Sequence, residues 1–342
     1  MSPFSIAEPN TGGMRPPAAA AIAAALLAAA LAMAGCAVPT GAGRPDGVGA
    51  DGSASGAPAA AGYQPKRGQY GKDVVWIPTP DRLVTRMLQI ANTTAADDVV
   101  DLGSGDGKIV LAAAREFGAR GLGIEFNPDL VALSQQRAAA SGVADRAQFR
   151  RGDIFETDFS RATVVTMYLL PHLNLRLRQT LMAMKPGTRV VSHAWTMGNW
   201  PADETSWVNG SPIYLWVVPA NAGGRWRLTF PQGNGNATAE LELTQTYQRL
   251  GDARIELAGL RHSPRSLRLD GDRLRFELTD DTGTLRLFDG RIDGNRIRGT
   301  VSGGAAAGNR FEAERIGEAP AIIGSQGYSD EESQRVGAEL GG

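Results

Sequence analysis

Apolar positions along the chain fall into short periodic runs, and the period changes once. Leu83, Val84, Met87, Leu88 and Ala91 recur at the spacing of one helix face. Just before them stands Ile77-Pro78-Thr79-Pro80-Asp81. Thr79 can cap that helix and Pro80 suits its first position. Asp98-Val99-Val100-Asp101-Leu102 is a short β-branched run that leads into Gly103-Ser104-Gly105-Asp106-Gly107. Residues 109–117 read as a helix, stopped by Gly118 where left-handed backbone is useful. Residues 121–125 form the next strand, and Asn127-Pro128-Asp129 caps a helix to about Ala140. Residues 147–151 and 163–168 are further strands, followed by Gly152-Asp153-Ile154-Phe155 and Leu169-Leu170-Pro171 respectively. A helix over 173–184 and the turn Lys185-Pro186-Gly187 lead to a fifth strand, 188–193. Strands alternating with helices predict an α/β domain over residues 70–222. Its Rossmann-like parallel sheet has helices on both faces, with ligands at the carboxyl ends of the strands.

From about Gly224 the period becomes two. Leu241-Leu243, Ile255-Leu257, Leu267-Leu269, Leu274-Phe276-Leu278 and Leu285-Leu287 alternate with polar residues. Gly251-Asp252, Asp270-Gly271-Asp272, Asp289-Gly290 and Asp293-Gly294-Asn295 are turn chemistry between them. The expectation is an all-β antiparallel meander over 223–317, a small barrel or sandwich. Its arginines fall mostly on the solvated faces, and a disordered tail is expected over 318–342.

Charge and cysteine content narrow the function. The formal net charge is −1, and residues 225–315 hold 15 Arg against 13 Asp and Glu. Neither balance makes the electrostatic footprint of a nucleic-acid binder, so no nucleic-acid partner is expected. Cys36 is the only cysteine, which excludes an intramolecular disulfide. His172, His193 and His262 stand apart with no cluster around them, so no metal site is expected.

The amino terminus reads as an address. Residues 18–36 carry no charge, are mostly Ala and Leu, and follow Arg15. They close on Met33-Ala34-Gly35-Cys36, which resembles the lipobox of bacterial lipoprotein signal peptides. That resemblance implies a signal over 1–36, a lipidated Cys36 and a lipid anchor in a membrane. With Ala37 next, it implies an outer-membrane lipoprotein facing the periplasm. Translation from Met33 would instead leave a cytoplasmic protein. Residues 37–69, rich at first in Gly, Ala, Pro and Ser, read as a flexible tether.

Strand, glycine loop and helix together are the nucleotide-binding unit of an open α/β sheet. Gly103, Gly105 and Gly107 have the spacing G-x-G-x-G, not the G-x-G-x-x-G of dinucleotide folds. Glu125 closes the next strand about twenty residues on, where a carboxylate can accept both hydroxyls of a ribose. The run Val99 to Gly107 resembles the first motif of class I S-adenosylmethionine-dependent methyltransferases. Ile124-Glu125-Phe126-Asn127-Pro128, Gly152-Asp153-Ile154-Phe155 and Lys185-Pro186-Gly187 are similar to the motifs that follow it, in family order.

The resemblance implies S-adenosyl-L-methionine as cofactor. Asp101, Gly103 and Gly105 would line its methionine part, with Ser104 also in the cofactor site. Glu125 would face the ribose, Asp153 the adenine amino group, and Phe126 and Ile154 the two sides of the ring. Asp101 would repel a pyrophosphate but attract a sulfonium and an ammonium group. That ranks a nicotinamide-dependent oxidoreductase lower, and no hydride-relay residue is evident. Singly, each residue also has a plainer role: a glycine after a strand can be only a turn, and Asp153 can cap a helix.

The fourth strand ends in Tyr168-Leu169-Leu170-Pro171, not the Asn-Pro-Pro-Tyr of amide and adenine methylases. Together with Ile77-Pro78-Thr79-Pro80 and the run from His193 to Trp200, it is similar to bacterial relatives of the lysine methyltransferases that act on the ATP synthase c subunit. That similarity implies a protein-lysine acceptor, with Tyr168 and Thr79 as catalytic residues bordering its channel. Tyr168 could equally be a packed barrier residue, Trp195 and Trp200 core or rim, and His193 a base or a structural residue. A third class is a noncatalytic envelope module that keeps the fold; its sign would be a pocket filled by side chains.

Overall fold

The computed structural model describes residues 62–304 and 309–341. The expected leader, Cys36 and residues 37–61 of the tether lie outside that range. Five parallel strands come first: β1 (Asp98–Leu102), β2 (Arg120–Glu125), β3 (Ala147–Arg151), β4 (Val164–Met167) and β5 (Arg189–His193). Antiparallel β6 (Glu204–Val208) and β7 (Ser211–Val217) extend the sheet, giving the order β3-β2-β1-β4-β5-β7-β6. Helices α1 (Asp81–Ile90), α2 (Lys108–Glu116), α3 (Pro128–Ala140) and α4 (Pro171–Met182) connect the strands.

Alternate residues of the central strands feed opposite layers. Val99, Val164 and Val191 pack with α1 and α2, whereas Val100, Val165 and Val190 pack with α4. The strand order reverses direction between β2-β1 and β4, which opens a crevice at their carboxyl ends. The expected α/β sheet is thus present with helices on both faces.

Local chemistry explains most boundaries. Asn127 caps α3, its side-chain oxygen accepting from the N–H of Asp129 at 2.9 Å. Thr79 does not cap α1. The carbonyl of Pro80 takes the N–H groups of Leu83 and Val84 instead, and the helix starts at Asp81. The β6–β7 hairpin was not expected, although its turn is Asn209-Gly210, with φ of 50° and 80°. That pair supplies the two left-handed residues a tight hairpin needs.

The second sheet runs through β8 (Gly224–Gln232), β9 (Gly235–Thr246), β10 (Arg249–Leu257), β11 (Leu260–His262), β12 (Arg265–Asp270), β13 (Arg273–Thr279), β14 (Leu285–Asp293), β15 (Arg296–Ser302) and β16 (Asn309–Ile316). It is one nine-stranded antiparallel sheet, ordered β11-β10-β9-β8-β16-β15-β14-β13-β12 and curled into a half-barrel. Aromatics fill the curl: Phe288 stacks on Phe276 at 4.6 Å and meets Phe230 and Phe311 edge-on at 5.2 Å.

In β14 the alternation is shifted by one from the reading above. Leu285 and Leu287 are 48% and 46% exposed, while Arg286 and Phe288 point inward. Phe288 claims the aromatic core, and a shift of one residue exchanges every side chain between faces. Arg286 is therefore an exception to the solvated arginines, and Asp280 neutralises it from the buried side.

The half-barrel docks on the first sheet. Trp200 stacks on Tyr247 at 6.1 Å, and Ala220 N–H donates to the carbonyl of Gly271. The segment expected to be disordered instead holds α5 (Asp330–Gly341), packed on α4. Arg178 of α4 fixes its approach, donating to the Gln326 carbonyl at 2.7 Å and lying over the Tyr328 ring at 4.3 Å. The helix meets α4 through Gly337, where a Cβ would come within 2.7 Å of the His172 nitrogen. Small residues make that contact, so no apolar stripe marks it in the sequence. No helix among the described residues is long and apolar enough to cross a membrane.

Candidate active site

A cavity of about 250 Å³ opens at the carboxyl ends of β1, β2 and β4. Thr79, Asp101, Gly103, Ser104, Gly105, Glu125, Phe126, Asp153, Ile154 and Tyr168 all line it, as does Trp195, whereas His193 and Trp200 do not. Among the described residues its lining comes from residues 69–195, none of it from the half-barrel. The pocket is open, not filled by side chains as a noncatalytic module would have it.

The glycine loop is shaped by backbone that side chains resist. Gly103, Gly105 and Gly107 have φ of 74°, 54° and 81°. The N–H groups of Gly103 and Ser104 both reach the Ile124 carbonyl, tying the loop to β2. A Cβ on Gly105 would sit 2.6 Å from the Trp76 indole nitrogen, and one on Gly107 would sit 2.8 Å from the Phe149 ring. Glu125 sits beneath the loop. One carboxylate oxygen accepts from Gly105 N–H at 2.8 Å and the other from Asn127 N–H at 2.9 Å. Its remaining lone pairs are fixed in direction.

Asp101 ends β1, 3% exposed, and accepts a hydrogen bond from the Thr166 hydroxyl at 2.7 Å. Burial pushes its carboxyl up to about 7. The carboxylates of Glu125 and Asp106 add to that, and the Thr166 bond opposes it. Among the described residues no cation pairs with it. Asp153 behaves oppositely. Burial alone would raise it, but the Lys72 ammonium and the Phe155 N–H hold it below the usual carboxylate range. Phe126 lies beside this pair, with Lys72 Nζ 5.4 Å and Arg151 Cζ 5.6 Å from its ring centre.

At the other end, Tyr168 packs on His193 with ring centres 4.0 Å apart. Burial pushes the His193 imidazole down, so it is neutral near pH 7, and its Nδ1 has no hydrogen-bond partner among the described residues. Thr79 is buried and lines the cavity, as do Leu170 and Trp195.

One wall was not anticipated. Residues 68–76 form a hairpin, with Gly68 N–H to the Trp76 carbonyl and Trp76 N–H to the Gln69 carbonyl, both at 2.9 Å. Its signal was local: Tyr70 and Val75 flank a turn containing Gly71, where a Cβ would come within 2.5 Å of the Val74 carbonyl. What makes it part of the site is contact with residues far along the chain.

This sheet order, glycine loop and acidic strand ends define a class I S-adenosylmethionine-dependent methyltransferase. Comparison with known proteins narrows it. The ANTKMT methyltransferase domain matches residues 101–204. A protein-lysine N-methyltransferase of Saccharolobus islandicus is 39% identical over 155 residues, spanning 44% of this chain and 96% of that protein. The mouse lysine N-methyltransferase of the ATP synthase c subunit is 32% identical over 126 residues, 36% of this chain and 51% of that protein. The crystal structure of an RNA methyltransferase from Salinibacter ruber with S-adenosyl-L-homocysteine is 51% identical, covers 42% of this chain and 94% of that one, and superposes with a TM-score of 0.41. The chain belongs to the family of the archaeal protein, and it is a methyltransferase that uses S-adenosylmethionine.

The residues present fit that donor. A buried carboxylate without a cation suits a ligand carrying a sulfonium and an ammonium group. Glu125, held by the Gly105 and Asn127 N–H groups, offers its remaining lone pairs to the ribose hydroxyls of the same ligand.

A pH dependence follows. A cationic donor selects ionised Asp101, so donor affinity should rise with pH and level off above about 7. Between pH 5.5 and 7.5 the gain should be roughly tenfold or more, with about half a proton released on binding at pH 7. Calorimetry in two buffers of different ionisation enthalpy reads both quantities; a flat profile without proton release would refute the coupling.

Proposed function

We propose that the methyl acceptor is the side-chain amine of a protein lysine. The carrying observation is that Thr79, Tyr168, Leu170 and Trp195 line the same cavity as Asp101. Their side chains are largely apolar and aromatic, and the polar groups of Thr79 and Tyr168 are hydroxyls. A lysine enters such a space as a long apolar stem with one amine at its tip. The match to a protein-lysine N-methyltransferase over 96% of that protein supports the same acceptor.

In this reading the cavity divides by chemistry. Asp101 receives the cationic end of the donor, the glycine loop admits its methionine part, and Glu125 takes the ribose hydroxyls. Asp153 takes the adenine amino group between Phe126 and Ile154. The bound donor supplies a methyl group on a sulfonium. The protein's task is to bring a neutral amine in line with it. Loss of water around an ammonium favours the neutral amine, so these apolar walls themselves prepare the nucleophile. Tyr168 and Thr79 can accept the amine's remaining hydrogens and fix its direction, and neutral His193 backs the Tyr168 ring. Orientation in a dry pocket supplies much of the rate.

The test uses the full chain with methyl-labelled donor and a mixture of denatured and native bacterial proteins, followed by acid hydrolysis. Label recovered as methyl-lysine, and lost in Tyr168→Ala while donor binding persists, is expected. Label recovered in nucleotides, or in amino acids other than lysine, would overturn the reading.

A further inference from the structure

The hairpin over residues 68–76 lies outside the matched domain at 101–204, yet its tip reaches the pocket. Lys72 ion-pairs with Asp153 through the Oδ2 oxygen. The other oxygen, Oδ1, already accepts the Phe155 N–H at 2.9 Å. Of the two oxygens Oδ2 is the one no backbone N–H holds, and Lys72 stands against it. The same ammonium stands 5.4 Å over the ring of Phe126, a residue that is 42% exposed to solvent. A bound adenine needs an acceptor for its amino group and a ring face to stack on. Lys72 is engaged with both.

We propose that Lys72 is an internal competitor for the adenine subsite: it holds Asp153 and Phe126 until the donor displaces it. This inference rests on the donor reading of the cavity given above. A site that is open only part of the time binds with an affinity reduced by that fraction. Lys72 thereby sets donor affinity, and its side chain becomes free when the donor enters. It is 41% exposed, so its removal takes nothing from the core.

The experiment titrates S-adenosylhomocysteine into the full wild-type chain, Lys72→Met and Lys72→Arg, after thermal melting has shown each to be folded. Lys72→Met should bind about threefold to tenfold tighter, the scale of a partly exposed ion pair, and Lys72→Arg close to wild type. Added salt should shrink the gap by screening the pair. Acetylation of Lys72, followed by mass spectrometry, should speed up when S-adenosylhomocysteine is bound. Equal or weaker binding by Lys72→Met, or slower acetylation with ligand, would mean Lys72 supports the donor, and would overturn the proposal. Binding to none of the folded proteins would remove the donor reading, and this inference with it.

Discussion

Replacing Asp101 with asparagine should cost the protein roughly 30- to 5000-fold in S-adenosylmethionine affinity while leaving the fold at least as stable. The two effects have opposite signs for one reason. Asp101 is buried, bonds among the described residues to the Thr166 hydroxyl, and faces the charges of Glu125 and Asp106. Its folded carboxyl titrates at about 7 against an ordinary 3.8, so the fold favours the neutral acid. That preference stabilises the protein fully below about pH 4 and is lost as pH rises through 7. Ionised Asp101 then costs the fold roughly 4 kcal/mol. Asparagine keeps the shape and never ionises, so the cost disappears. It also cannot pair with a cationic ligand, and truncating one partner of a buried charge pair typically costs about 2–5 kcal/mol of binding. Urea denaturation at pH 8 beside calorimetric titration separates the effects. A variant that lost stability and affinity together would show Asp101 to be a structural residue.

Much of this site was legible because its residues stand at the ends of buried strands. Every residue of β4 is buried, and such a run reads as a central strand without any knowledge of contacts. The polar or glycine residue that follows it must then face the crevice. What failed to show was of a different kind. Leu285-Leu287 alternates as cleanly as a core strand, and alternation alone cannot say which set faces inward. Only the aromatic cluster around Phe288 decides it. The carboxyl-terminal helix packs through Gly337 and Ser333, so it carries no apolar stripe. Lys72 looks like any solvated lysine until the fold brings Asp153 to it across 81 residues. Local period gives elements and strand ends; pairings between distant surface residues need the fold.

Asp280→Ala should destabilise the half-barrel by about 3–5 kcal/mol without touching donor affinity. The side chains of Asp280 and Arg286 are 0% and 7% exposed. Asp280 accepts from the Thr284 N–H at 2.9 Å, from the Thr282 hydroxyl at 2.6 Å and from Arg286 Nε at 2.9 Å. Arg286 in turn donates to the Gly303 carbonyl. The pair therefore ties the β13–β14 connection to the end of β15. Removing the carboxylate strands a buried guanidinium, an uncompensated desolvation, and takes the acceptor from the more exposed Thr282 and Thr284 amides. Replacing both residues, as Asp280→Ala with Arg286→Leu, removes the stranded charge and should recover much of the loss. Burial alone would raise the Asp280 carboxyl, but its hydrogen bonds and Arg286 hold it below 3.8. Its contribution is thus present above about pH 4 and lost as pH falls through the lowered value. Donor binding should be unchanged, because among the described residues the cavity draws its lining only from residues 69–195. A double variant as unstable as Asp280→Ala would show that the amide bonds, not the charge pair, hold the connection. A loss of donor affinity in either variant would show that the half-barrel reaches the site by a route its contacts do not reveal.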